Sequence, residues 1–285
     1  MSLIREKACA KINLTLEILE KRMDGFHSLK SVFQAVDLFD DFIFALREDG
    51  EINLITDFPE KESLNLINKA GETLKKFTSC PLGADITVKK YIPMGAGLGG
   101  GSSDAAAVLK GLNRLWNCGL EAKDLSFIGS FIGSDVPFFV TPSTALVEGR
   151  GEVISLLTKT PPFYFVLVFP RLLINTGWAY ELWDKKGKSA FPNKTAEFVE
   201  ALEKGDYSGM VKAVSNDFEP LVLPFIPPLK AVRDLLRESC DAASLSGSGS
   251  SYFGVVKDGK TAREIAGKLK KMNIGDVYAL KPYQE

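Results

Sequence analysis

The chain has 285 residues, 45% hydrophobic and 25% charged, a balance that suits an ordinary globular protein with room for two domains. Its net charge of −1 and pI of about 6.1 show none of the basic excess that marks a nucleic-acid binder. No stretch reaches the roughly eighteen apolar residues of a membrane span, and "MSLIREKACAK" lacks a signal-peptide run, so the chain reads as cytoplasmic with no membrane partner.

Taken in chain order, "KACAKINLTLEIL" alternates strictly. Ala8, Ala10, Ile12, Leu14, Leu16 and Ile18 share one face; Cys9, Lys11, Asn13, Thr15 and Glu17 share the other. Period two predicts a half-buried strand, and on this stretch alone Lys11 reads as a solvent-facing edge lysine. "MDGFH" supplies an Asp-Gly turn, and "SVFQAVDLFDDFIFAL" and "GEINLIT" read as further strands. Leu64, Ile67, Ala70 and Leu74 have helical spacing. "ADITVKKYI" is a strand ended by Pro93.

"PMGAGLGGGSSDAA" follows, and then the helical run "SSDAAAVLKGLNRLW". Ser102 or Ser103 is expected to cap this helix, with Asp104 near its positive end. "AKDLSFIGSFIG" reads as a helix stopping near Gly133, and "STALVEG" and "GEVISLL" as a strand pair around "GRG". The prolines of "TKTPPF" place a domain boundary there, giving domains 1–158 and 159–285. Beyond it come the strand "FYFVLVFP" and helices at "GWAYELWD", "KTAEFVEALEKG", "SGMVKAVSN" and "LKAVRDLLRES". "ASLSGSGSSYFGVV" reads as strand, turn and strand, followed by the helix "AREIAGKLKKM" and the strand "DVYALKP". Without regular βαβ alternation the pattern favours an α+β fold. Cys9, Cys80, Cys118 and Cys240 lie far apart with no metal-like spacing and read as buried, reduced thiols.

A strand, a glycine-rich loop and a helix start make a phosphate site, because backbone N–H groups approach an anion closely where no Cβ intervenes. Gly95, Gly97 and Gly100 satisfy G-x-G-x-x-G, but the helix leads into another helical stretch and not into a strand bearing an acid, so a dinucleotide fold fails. Gly101-Ser102-Ser103 has no lysine, so a P-loop fails; the H-R-D and D-F-G pair of protein kinases is absent.

The loop resembles the ATP loop of the GHMP kinases, the superfamily of galactokinase, homoserine kinase and mevalonate kinase, in its longer G-L-G-G-G-S-S form. "KINLTLEILEKRMDGFHSLKSVFQAVDL", "GSDVPFFV", "EGRGE" and "LSGSGSSYFGV" extend the likeness over nearly the whole chain. Together they resemble the 4-diphosphocytidyl-2-C-methyl-D-erythritol kinase family of the non-mevalonate isoprenoid pathway. The resemblance implies an α+β GHMP fold, with an N-terminal ribosomal-protein-like domain, a C-terminal ferredoxin-like domain and the site in the cleft between them. It implies transfer of phosphate from ATP, with Mg²⁺, to the 2-hydroxyl of the cytidine substrate, by a monomer or weak homodimer.

By the same resemblance Pro93, Met94, Gly95, Ala96, Gly97, Leu98, Gly99, Gly100, Gly101, Ser102 and Ser103 cradle ATP. Ser103 is a phosphate or metal ligand, and the remaining metal ligands are unassigned. Lys11 is the active-site lysine, able to stabilise developing alkoxide charge, and Asn13 a substrate contact. Asp135, by local pattern only a cap or turn residue, becomes the catalytic aspartate, as general base or as orienter of the hydroxyl. Phe26 stands where the family usually has tyrosine; it stacks on the base, and His27, the one histidine of the chain, hydrogen-bonds to it. Thr176, on its own a helix N-cap, and Tyr180 close over the cytosine. Ser246 to Ser251 form the third GHMP motif, beside the ATP loop. The rival readings are another GHMP small-molecule kinase, acting on homoserine, mevalonate or a sugar, and a non-catalytic nucleotide- or RNA-binding module.

Overall fold

The computed structural model describes residues 3–56 and 61–285, with backbone only for 61–64. The first half builds one mixed sheet backed by helices. Strands β1 (Leu3–Lys21) and β2 (His27–Arg47) form a long hairpin around the Asp24–Gly25 turn, where Gly25 takes φ 85°. Then come β3 (Ile52–Ile55), helix α1 (Lys61–Thr78) and β4 (Gly83–Lys89). Helices α2 (Gly100–Leu115), α3 (Ala122–Ser130) and α4 (Val136–Val140) precede β5 (Thr144–Gly149) and β6 (Val153–Leu156). Ile67, Ala70 and Leu74 of α1 are fully buried; Leu64 lies outside the described side chains.

The second half opens with β7 (Tyr164–Phe169), then α5 (Thr176–Lys186), α6 (Lys194–Lys204) and α7 (Tyr207–Ala213). Next are the two-residue strand β8 (Ser215–Asn216), the short helix α8 (Glu219–Val222) and α9 (Pro227–Ser239). Strands β9 (Ala242–Leu245) and β10 (Tyr252–Val256), helix α10 (Gly259–Lys271) and β11 (Asp276–Leu280) complete it. The second sheet is antiparallel in the order β11-β7-β10-β9, the ferredoxin-like arrangement.

The first sheet runs β3-β4-β2-β1-β8, with β5 on the free half of β2 and β6 beyond it. Its last member, β8, comes from the second half of the chain and lies parallel to β1 at Thr15 and Leu16. The sequence assigns "VSN" to the end of a helix; the helix stops at Ala213 because Ser215 and Asn216 pair with β1. The chain end also returns to the first half, where Lys281 N donates to Asp37 Oδ1.

This arrangement overturns the half-buried reading of the first strand. From Ala8 to Ile18 both faces of β1 are buried. Its polar residues find partners in both halves: Cys9 and Lys11 meet Ser103 and Asp135 of the first half, and Asn13, Thr15 and Glu17 reach Gly247 and Thr195 of the second. Glu17 accepts the N–H groups of Asn193 and Thr195, which seats the start of α6. Thr15 Oγ1 accepts from Val32 N and Thr195 Oγ1. Lys11 is 5% exposed, so the solvent-facing reading fails. Buried polar groups require such partners, and here they align the two halves. Among the described residues no helix is long and apolar enough to cross a membrane.

Candidate active site

The loop before α2 alternates glycines in the left-handed region with buried side chains. Gly95, Gly97 and Gly99 have φ 64°, 76° and 71°, while Ala96 and Leu98 are each 1% exposed. The small side chains plug into the core and the glycines turn the main chain outward between them. At Gly97 a Cβ would lie 2.1 Å from the carbonyl oxygen of Ser246, so only glycine fits.

Both halves of the protein pin this loop. Lys11 N donates to Leu98 O at 3.0 Å from β1. From the turn between β9 and β10, Ser246 Oγ donates to Gly97 O at 2.9 Å and Ser251 N to Ala96 O at 3.1 Å.

The helix cap lies three residues before the first of the two serines expected to supply it. Gly99 is its N-cap, and no side chain caps it. Ser102 and Ser103 lie inside the first turns, and Ser103 N already donates to Gly99 O. The N–H groups of Gly100, Gly101 and Ser102 therefore have no intrahelical acceptor and point out of the helix start, as an anion site needs. They border a cavity of about 230 Å³ that runs from Lys90 and Leu66 to Ser102. Ser103 lines neither this cavity nor its neighbour; it is 2% exposed, with its hydroxyl in hydrogen-bond contact with the Cys9 thiol.

Asp104 is fully buried and does not serve the helix dipole. It pairs with Lys90 at 2.5 Å. Lys90 also pairs with Asp40, whose Oδ1 accepts the N–H groups of Tyr91 and Ile92. Burial alone would lower the Lys90 pKa, but the two carboxylates outweigh it and raise it. The motif lacks a lysine, yet the strand before it sends one to the loop cavity, with its charge already engaged.

A second cavity, of about 240 Å³, adjoins the loop at Gly97 and Gly99. Lys11, Asn13, Asp135, Thr176 and Tyr180 all line it. Asp135 occupies the N-cap position of α4, but its side chain makes no capping bond. Its carboxylate stands 3.8 Å from Lys11 Nζ. Gly151, in the "GRG" turn with φ 116°, leaves room for it: a Cβ there would come within 3.2 Å of Asp135 Oδ1.

Lys11 Nζ donates to Asn13 Oδ1 at 2.6 Å and lies 4.3 Å from the centre of the Phe33 ring. Burial pulls its pKa down, and Asp135 partly offsets this. Asn13 has both polar atoms engaged: Oδ1 also accepts Gly247 N, and Nδ2 donates to Ser31. It holds Lys11 and the 246–251 turn together at the wall of this cavity.

Asn175, and not Thr176, caps α5, accepting from Trp178 N; Thr176 Oγ1 instead bonds Ser248 Oγ at 2.9 Å. Tyr180 is half-buried, and burial, with the nearby Asp135 charge, pushes its phenol up to about 12. His27 stacks on Tyr180 with ring centres 4.8 Å apart, and its Nε2 bonds Asp184 Oδ1 at 2.6 Å. It is 7% exposed, so it is no solvent-facing turn histidine. Phe26 is 55% exposed, with the Arg150 guanidinium 5.1 Å from its ring centre. Neither Phe26 nor His27 lines the cavity; Tyr180 and Arg150 do. Arg150, Lys90 and Asp184 escape a sequence reading, because the contacts that place them at the site, to Phe26, Asp104 and His27, come from other segments. Among the described residues no three His, Cys, Asp or Glu side chains gather as a metal cage.

A phosphate loop joined to a lysine–aspartate cavity between two α+β halves defines a small-molecule kinase of the GHMP class. Residues 65–142 match the GHMP kinases N terminal domain, and residues 198–275 the GHMP kinases C terminal domain. The chain is 39% identical over 270 residues to the 4-diphosphocytidyl-2-C-methyl-D-erythritol kinase of Enterococcus faecalis, covering 94% of this chain and 95% of that one. It is 39% identical over 275 residues to the same enzyme of Moorella thermoacetica, covering 95% and 96%. A crystal structure of 4-(cytidine 5'-diphospho)-2C-methyl-D-erythritol kinase superposes with a TM-score of 0.83 at 30% identity, over 99% of this chain and 100% of that one. Homoserine kinase from Cytophaga hutchinsonii, at 20% identity and a TM-score of 0.80 over 100% and 96%, shares the fold. The chain belongs to the 4-diphosphocytidyl-2-C-methyl-D-erythritol kinase family.

Proposed function

We propose that the chain moves the terminal phosphoryl group of ATP to the 2-hydroxyl of 4-diphosphocytidyl-2-C-methyl-D-erythritol, with Lys11 and Asp135 at the reacting atoms. The observation that carries the assignment of residues is the position of this pair. It stands in a cavity that shares Gly97 and Gly99 with the loop cavity, so donor and acceptor sites meet there.

The free N–H groups of Gly100, Gly101 and Ser102 and the dipole of α2 hold the phosphates. The acceptor hydroxyl sits beside Lys11 and Asp135. Their 3.8 Å separation is an ion pair without a hydrogen bond, which leaves both groups able to reach one oxygen seated beside the pair. An aspartate is a weak base for an alcohol, so Asp135 orients the hydroxyl and takes its proton late, as the bond to phosphorus forms. Lys11, held by Asn13 in a water-poor site, stabilises charge on the transferred group. Its lowered pKa reflects the cost of a buried cation, which an incoming anion relieves.

The oxygen donors present, the Ser102 hydroxyl in the loop cavity and the Asp135 carboxylate in the adjoining one, suit a hard cation and would be the residues to hold Mg²⁺. Bound there, it would supply positive charge to offset that of the phosphates. Phe26 and Tyr180 supply the aromatic faces for the base. His27, stacked on Tyr180 and tied to Asp184, fixes the second face.

The test is phosphate transfer from ATP, measured in parallel with the cytidine diphosphate substrate, homoserine and mevalonate. Turnover of the cytidine compound alone is expected. Transfer to homoserine or mevalonate in its place, or no ATP-dependent product, would overturn the reading.

A further inference from the structure

Helices α1 and α2 pack side by side; a Cβ on Gly71 of α1 would lie 3.4 Å from Leu112 of α2. They end in the same way. Ser79 after α1 and Asn117 after α2 are non-glycine residues in the left-handed region, with φ 51° and 53°. Such a residue turns the chain sharply out of a helix and swings the next side chain back toward the helix end. In both cases the next residue is a cysteine. The Cys118 thiol neighbours the Cys80 thiol and the Thr78 hydroxyl. Both cysteines are free thiols and half-buried. Cys80 also lines an open cavity of about 670 Å³, beside Lys75 and Lys76.

The other two cysteines are placed differently. Cys9 is 2% exposed, and burial pushes its thiol up to about 12. Cys240 packs against Gly254, and burial drives it to about 12 as well. Neither has another cysteine among its contacts in the described residues.

We propose that Cys80 and Cys118 form a redox-active pair that closes to a disulfide when a small-molecule disulfide such as oxidised glutathione enters the cavity. Cys80, the thiol on the cavity, attacks one sulfur of the small disulfide. A mixed disulfide forms and one small thiol leaves. Cys118, in contact behind it, then attacks the Cys80 sulfur and expels the second small thiol. The two cysteine protons end on the two released thiols, and the two electrons reduce the small disulfide. Cys118, at the end of the neighbouring helix and beside Cys80, is placed for the second, intramolecular step. The bond would tie the ends of the two helices that wall the loop cavity, since Leu66 of α1 and Gly100–Ser102 of α2 both line it. This inference stands apart from the kinase reading, because its test needs no turnover.

The intact chain is incubated with oxidised glutathione at mildly alkaline pH, quenched with acid and mapped by peptide mass spectrometry. The thiols counted under denaturing conditions are expected to fall from four to two, with one peptide joining Cys80 to Cys118. The thermal midpoint should rise and return on reduction, because the cross-link restricts the unfolded chain. Cys118→Ser should stop at a stable mixed disulfide on Cys80, with no such rise. Lasting mixed disulfides on the wild-type pair, bonds only between molecules, or four unchanged thiols would each overturn the proposal.

Discussion

In the glycine loop it is main-chain atoms that meet. Gly97 lies against the carbonyl of Ser246, and Leu98 and Ala96 carbonyls are held by N–H groups of β1 and of the 246–251 turn. In the aromatic wall beside it, side chains meet: His27 on Tyr180, Asp184 on His27, Arg150 over Phe26. The contrast explains their different tolerance. A backbone contact leaves no volume for a side chain, so the loop depends on glycine at fixed positions. A ring contact depends on shape, so Phe26 offers its face without needing a hydroxyl.

The strongest break is expected where the two regions join. Asp135→Asn should lower kcat on the order of 10²–10⁴-fold with ATP affinity nearly unchanged, measured by steady-state kinetics and nucleotide titration. Full turnover would remove Asp135 from the chemistry. Next comes Gly97→Ala, which tests the backbone side. The left-handed conformation alone costs an alanine about 1–2 kcal/mol, and its Cβ must also displace the Ser246 carbonyl. Both a lower thermal midpoint and weaker ATP binding should follow, because the turn that moves belongs to the other half of the protein.

The aromatic wall should respond more mildly and only on one substrate. Phe26→Ala should raise KM for the cytidine compound roughly tenfold, the loss of about 1.4 kcal/mol of stacking, with the KM for ATP unchanged. His27→Ala should move the same constant in the same direction through Tyr180. An effect on ATP instead would dissolve the division of labour.

The smallest effect lies beneath the loop. Burial, and then the Asp40 charge, hold the Asp104 pKa up near 7 against the pull of Lys90. The folded chain therefore keeps a proton that the unfolded chain releases above about pH 4. Stability from this group falls as pH rises from about 4 to 7 and then levels off. Lys90, also raised, works in the same direction but only above its own ordinary range, outside this window. Thermal midpoints of wild type and Asp104→Asn across pH 4–8 should show a downward slope that is shallower in the variant.

Much of the site was legible in local pattern. Three failed phosphate-loop alternatives and the spaced motifs point to one family, and the alternation of β1 puts Lys11 and Asn13 on one face. Local pattern says which residues share a face or a loop, because strand and helix periods are properties of a few consecutive residues. It does not say what covers that face.

Only the tertiary structure decided that both faces of β1 are buried, that Asp135 leaves its helix cap free to reach Lys11, and that Ser103 turns inward to Cys9. The same holds for Lys90, Arg150 and the paired thiols of Cys80 and Cys118. Each depends on segments far apart in sequence, and a side chain's charge and exposure are set by those neighbours, not by the residues on either side of it.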